Sequence, residues 1–95
     1  MNVVLTPEAL ADLDRLRAFL VVRNPRAARR AVSALVQSIG SLEIFPDRGQ
    51  PTRIADVREL IVPFGRSAYV IRYAHTTGSD QVVILRIWHG REERG

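Results

Sequence analysis

Apolar residues recur through Ala9, Leu13, Leu16 and Leu20 at intervals of 4, 3 and 4, while Asp12, Asp14, Arg15 and Arg17 fall on the other faces. That spacing is the stripe of an amphipathic helix. Its start is marked by Thr6-Pro7-Glu8: threonine suits the cap, proline the first helical position, and glutamate the positive end of the helix dipole. Asn24-Pro25 repeats the cap-plus-proline signal, and Ala28, Val32, Leu35, Ile39 and Leu42 then follow at intervals of 4, 3, 4 and 3. The break between the two helices is so short that they are predicted to fold back as a hairpin. Leu35 and Ile39 lie mid-stripe and are predicted core residues.

The period then changes. FPDRGQP, from Phe45 to Pro51, is a turn cluster. Beyond it VRELIV, SAYVIRY and QVVILRIW are rich in Val, Ile, Tyr and Leu, as strands are, and are separated only by PFGR and AHTTGSD. Short connections of this kind predict an antiparallel meander. MNVVL at the start reads as one more short strand, at an edge or in the centre of the sheet. Side chains alternate along a strand, so Tyr69, Ile71 and Tyr73 share one face and Val70 and Arg72 the other. The order strand, helix, helix, strand, strand, strand predicts an α+β fold in one domain over residues 1–95, with the hairpin lying on one face of the sheet. Trp88, the only tryptophan, is predicted to be buried where the last strand runs out into His89-Gly90-Arg91-Glu92.

Composition narrows the function classes. A chain of 95 residues can bury about 60–65% of its unfolded surface, enough for one core and little reserve. Cysteine is absent, and His75 and His89, the only two histidines, are not at metal-ligand spacing, so no metal or cofactor is expected. No apolar stretch approaches a membrane span and no basic-then-apolar leader opens the chain, which predicts a cytoplasmic protein without a membrane partner. All 14 cationic residues are arginine, against 10 acids, for a net charge of +4. A GC-rich genome would favour arginine codons; a surface that pairs bidentately with carboxylate or phosphate would also favour arginine. Arg26, Arg29 and Arg30 cluster near the start of the second helix, where cations oppose the dipole by about 0.3–1 kcal/mol each. A solvated face, an acidic protein partner and nucleic acid all fit that cluster. Arg58 and Glu59 read either as an intramolecular ion pair or as part of a binding groove.

Taken in order, LTPEALADLDRL, NPRAARRAV, FPDRGQP, VRELIV, YVIRY and VVILRIWHGRE resemble the RelE/ParE family of toxins from bacterial type II toxin–antitoxin modules, over nearly the whole chain. The resemblance implies a small antiparallel sheet behind a helical hairpin. It also implies a cognate antitoxin whose C-terminal segment wraps the toxin in a hetero-oligomer. Two activities occur on that fold, and fold alone does not choose between them. RelE-like members cut messenger RNA on the ribosome without a metal; ParE-like members poison DNA gyrase.

Metal-free RNA cleavage needs proton-transfer groups and cations around the phosphorane. RelE-like sequences supply many of these as lysines, which this chain lacks. Ribonuclease members commonly carry an arginine just after the first aromatic residue of the middle strand; here that position is Val70, with Arg72 two residues on. His89 has the acid–base chemistry for catalysis, but ParE-like members also end in His-Gly-Arg or His-Gln-Arg. The expectation is therefore a ParE-like toxin that acts by binding rather than by bond cleavage, with His89 and Arg91 facing the target. Arg26, Arg29, Arg30 and Arg58 are the expected antitoxin contacts. The alternative is a ribosome-dependent endoribonuclease using His89 with Arg72, Arg66 or Arg91.

Overall fold

A computed structural model describes residues 1–92. The two cap signals form as the side-chain chemistry dictates. Thr6 is extended (φ −66°, ψ 160°), and its hydroxyl accepts the Ala9 N–H at 3.1 Å, starting helix α1 (Pro7–Arg23). Asn24 serves two helices at once. Its backbone N–H donates to the Leu20 carbonyl at the end of α1, and its side chain accepts the Ala27 N–H at the start of α2 (Pro25–Ser41). A single residue therefore joins the helices, which pack on one another.

The sheet has five strands, one more than the sequence pattern indicates. The predicted meander is its middle: β3 (Val57–Phe64), β4 (Ser67–Ala74) and β5 (Gln81–His89), all antiparallel. β1 (Asn2–Leu5) is an edge strand that runs parallel to β5, with Asn2 opposite Gln81 and Leu5 opposite Ile84. The other edge is β2, Gln50–Pro51, paired with Glu59 and Arg58 of β3. It lies inside the stretch read as a turn; two residues ending in proline give no periodic signal, and proline is tolerated there because the strand is an edge. The strand order is β1-β5-β4-β3-β2.

The core lies between the helices and one sheet face. Ala9 and Leu16 of α1 and Ala31, Leu35 and Ile39 of α2 form one buried cluster with Leu60, Val62, Tyr69, Ile71, Tyr73, Val82, Ile84 and Ile87. Tyr73 also fixes the chain around β2. Its buried hydroxyl donates to the Pro46 carbonyl at 2.7 Å and accepts the Gly49 N–H at 2.9 Å. A Cβ on Gly49 would stand 2.7 Å from the Tyr73 ring, so this approach requires glycine.

Two features of β5 set up everything at its end. First, a bulge separates Tyr73, which faces Ile84, from Arg72, which faces Arg86; Leu85 is the extra residue. Second, β1 covers the edge of β5 only as far as Ile84, and beyond that point α1 takes over with side chains. The Asp12 carboxylate accepts the Ile87 N–H at 2.8 Å, and the Arg15 guanidinium donates to the Ile87 carbonyl at 3.3 Å. Asp12 also holds Arg86 at 2.8 and 3.1 Å and Arg15 at 3.2 Å. Only 4% of Asp12 is exposed, although it lies off the apolar stripe of α1. Burial pushes its carboxyl up, but the hydrogen bonds from Arg86, Ile87 and Arg15 outweigh that and hold it below its ordinary value of 3.8.

Candidate functional site

The end of β5 is held in place by short polar contacts. The Gly90 N–H donates to the Ala68 carbonyl at 2.7 Å, and a Cβ there would meet that oxygen at 3.1 Å. Glu92 folds back so that one carboxylate oxygen accepts the His89 N–H at 2.8 Å and the other meets Arg15 at 2.6 Å. These two bonds overcome the opposing effect of burial and keep the Glu92 carboxyl below its usual range. His89 Nδ1 accepts the Arg91 N–H at 3.2 Å, an assignment that puts the neutral ring's proton on Nε2. The imidazole stands edge-on to Tyr69 with ring centres 5.5 Å apart, and Phe64 tilts against Tyr69 at 5.8 Å.

Beside this cluster a groove of about 720 Å³ opens between α1 and the β3–β4 turn. Leu16, Phe19 and Leu20 form one wall; Phe64, Gly65 and Tyr69 form the other; His89, Arg91, Glu92 and Arg15 close its polar end. Phe19 is 56% exposed, with the Arg23 guanidinium 3.8 Å from its ring centre. Val22, a turn further on, is 83% exposed. An open, apolar-walled groove with charges at one end fits an amphipathic chain better than a small polar ligand. Sequence reasoning did not single out this groove, because Phe19 falls outside the stripe that defines α1. An aromatic residue off the stripe was the available signal.

The opposite face of the sheet carries a different set. Glu59, Arg72 and Arg86 lie in register across three strands, and both Arg72 Nε and one terminal nitrogen bond Glu59 Oε2, at 3.0 and 2.9 Å. Trp88 is buried as predicted. Its surroundings are cationic, with Arg72 and Arg86 at 4.7 and 5.2 Å from its ring centre. Arg72 does share the face of Val70. His89 does not, because it pairs with Tyr69 on the helix-covered face. Arg66 is exposed in the β3–β4 turn.

Arg91 and His89 are thus brought together at the groove, while Arg72 and Arg66 lie elsewhere. Arg58 turns to the chain before β2, donating to the Gly49 carbonyl at 2.8 Å and the Asp47 carbonyl at 3.2 Å. Arg26, Arg29 and Arg30 are exposed on α2 and do not line the groove. Among the described residues, no group of three or more His, Cys, Asp or Glu is placed to hold a metal ion. No described helix is long and apolar enough to cross a membrane.

Comparison with known proteins follows the same outline. The profile of the ParE toxin of type II toxin–antitoxin systems, parDE, matches residues 3–94. The chain belongs to this toxin family. It is 45% identical to the protein named toxin RelE1 of Caulobacter vibrioides, over 98% of this chain and 97% of that one. Toxin RelE3 of the same organism is 39% identical, over 98% of both. The chromosomal ParDE system of P. aeruginosa contains a chain with a TM-score of 0.78 and 27% identity, covering 94% of this chain and 95% of that chain. A chain of the RelBE2 toxin–antitoxin complex of Mycobacterium tuberculosis scores 0.66 at 27% identity, covering 96% and 92%. ParE and RelE names both occur among these relatives, so the family is shared and the names do not assign a target.

Proposed function

We propose that this toxin arrests growth by binding its target rather than by cutting RNA, with DNA gyrase as the target and His89 and Arg91 at the contact surface. The carrying observation is that, of the three arginines expected to serve His89 as an acid–base group, only Arg91 lies beside it. His89 lies on the helix-covered face and Arg72 on the other, where Arg72 is paired with Glu59. Phosphorane stabilisation requires cations aimed at the same reacting group. A lysine-free chain has few ways to supply them.

The experiment is His89→Gln, which keeps size and some hydrogen bonding but does not titrate near neutrality. Acid–base catalysis by His89 would make the variant roughly 10²–10⁴-fold slower in message cleavage. Binding predicts instead that the folded variant still arrests growth, still inhibits gyrase supercoiling, and yields no cleaved messages by primer extension. A folded but non-toxic variant that has lost message cleavage would assign the chain to the ribonucleases.

The groove between α1 and the β3–β4 turn is the proposed seat of the cognate antitoxin, whose amphipathic segment would fold as it buries Phe19 and Leu20. Both solved relatives named above come from toxin–antitoxin systems. Phe19 is exposed in the free chain, so Phe19→Glu leaves the fold intact and is expected to weaken the antitoxin complex about 30-fold or more, measured by calorimetric titration. Unchanged affinity would move the antitoxin to another surface. A cytoplasmic location belongs to this proposal, since a cysteine-free chain suits a reducing compartment.

A further inference from the structure

The positive charge of this chain is concentrated in one place. α2 carries Arg26, Arg29 and Arg30 and no acidic residue, so it accounts for three of the four net charges of the whole protein. Outside α2, 11 arginines stand against all 10 acids, and Arg15, Arg17, Arg58, Arg72 and Arg86 each have a carboxylate within 4 Å. Among the described residues, none of the three α2 arginines has an ion-pair partner. Like charges at this spacing repel one another, so helix stability does not explain them.

Their direction is equally specific. At 100° per residue, Arg26 and Arg30 point directly away from the buried Ala28, Ala31, Leu35 and Ile39, and Arg29 flanks them. Ser33 and Gln37 continue the same outward strip, and all five side chains are exposed. The strip is therefore a rigid, flat, cationic and polar surface, with Arg26 and Arg30 one turn, about 6 Å, apart.

We propose that the outward face of α2 docks the phosphate backbone of duplex DNA without reading its sequence. A protein partner would need a desolvated apolar or aromatic centre to anchor on, and this strip has only arginine, serine and glutamine at its centre. Single-stranded nucleic acid is gripped by aromatic side chains that stack on bases, and α2 contains no aromatic residue. A row of arginines on a fixed helix matches the remaining case, a stiff polyanion contacted through phosphates alone. This surface is separate from the groove and does not depend on which target the toxin arrests.

The test is fluorescence anisotropy of a labelled duplex of about 20 base pairs titrated with the full chain at several salt concentrations. Three neutralised phosphates predict a slope of log affinity against log salt near −2.7, and hence about a 40-fold loss of affinity between about 50 and 200 mM salt. Arg26→Gln, Arg29→Gln and Arg30→Gln combined should flatten that slope and weaken binding at least tenfold at low salt, with an unchanged or raised melting temperature. Arg17→Gln, Arg48→Gln and Arg53→Gln combined remove the same net charge and should leave the slope intact. The proposal is overturned by no binding at low salt, by equal losses in the two triple variants, or by the α2 variant binding as well as the parent chain. Tighter binding of poly-glutamate or of single-stranded DNA of equal charge would also overturn it, in favour of an acidic protein partner or a single strand.

Discussion

Leu35→Asp is expected to leave the chain unfolded at 25 °C. Leu35 is 1% exposed and stands mid-stripe in α2, packed into the core cluster formed by both helices and the sheet. Removing its apolar side chain costs about 2–5 kcal/mol, and a buried carboxylate without a partner adds several more. A domain of this size has about 5–15 kcal/mol in total. Ile39→Asp, 8% exposed in the parent chain, should behave alike. Val36 is the internal control. It sits on the same helix but is 54% exposed, so Val36→Asp should change stability by no more than about 0.5 kcal/mol. Circular dichroism with urea unfolding separates the three; a cooperative, near-parental transition for Leu35→Asp would refute this placement of the hairpin on the sheet.

Asp12→Ala is expected to cost about 2–4 kcal/mol at neutral pH, although the residue does not line the groove. The carboxylate ties α1 to the free edge of β5, accepting the Ile87 N–H and pairing with Arg86 and Arg15. Truncation strands a buried N–H and removes the acceptor shared by two guanidinium groups. Those groups are about 42–43% exposed, so they recover hydration and the cost stays below that of a fully buried pair. The pH dependence follows from the direction of the shift. Asp12 titrates lower in the folded chain than in the unfolded one, so its contribution is complete above about pH 4 and is lost as pH falls through the folded value. Stability measured from about pH 6 to pH 2 should therefore fall more steeply for the parent chain than for Asp12→Ala. Parallel curves would show that Asp12 is not the ion pair described here.

The same residue explains why the site was only partly legible beforehand. Asp12, one position before Leu13, falls off the stripe by sequence spacing, and the spacing gives no sign that it is buried. What buries it is the end of β1 at Leu5: where a parallel neighbour stops, the edge of β5 must be satisfied by something else. Nothing near Asp12 in the chain announces that need; Ile87 is 75 residues away. The groove beside it is equally non-local, since its walls come from α1, the β3–β4 turn and the end of β5.

Sequence by itself determined the elements whose causes lie within a few residues of one another. Thr6-Pro7 and Asn24-Pro25 start two helices through local hydrogen bonds, the 4,3,4 stripes choose their buried faces, and the Val-, Ile- and Tyr-rich runs become the three long strands. Only the tertiary structure decided which face of the sheet each catalytic candidate occupies. Extended without interruption from the Ala74–Val83 pair, the β4–β5 register would set Arg72 opposite Leu85 and put His89 on the same face as Arg72. The bulge at Leu85 shifts every later residue by one, which sends Trp88 to the face of Arg72 and His89 to the face of Tyr69. One trace of it was present in the chain: from Val82 and Ile84, strict alternation would turn Arg86 into the core. An arginine at an inward position marks a broken register. Where the break falls was fixed by contacts from the far end of the chain, with Thr6 donating its N–H to the Ile84 carbonyl and its hydroxyl to the Leu85 carbonyl. A one-residue slip costs nothing that local spacing can register, yet it separates His89 from Arg72, and only the packing of β1 and α1 against β5 sets it.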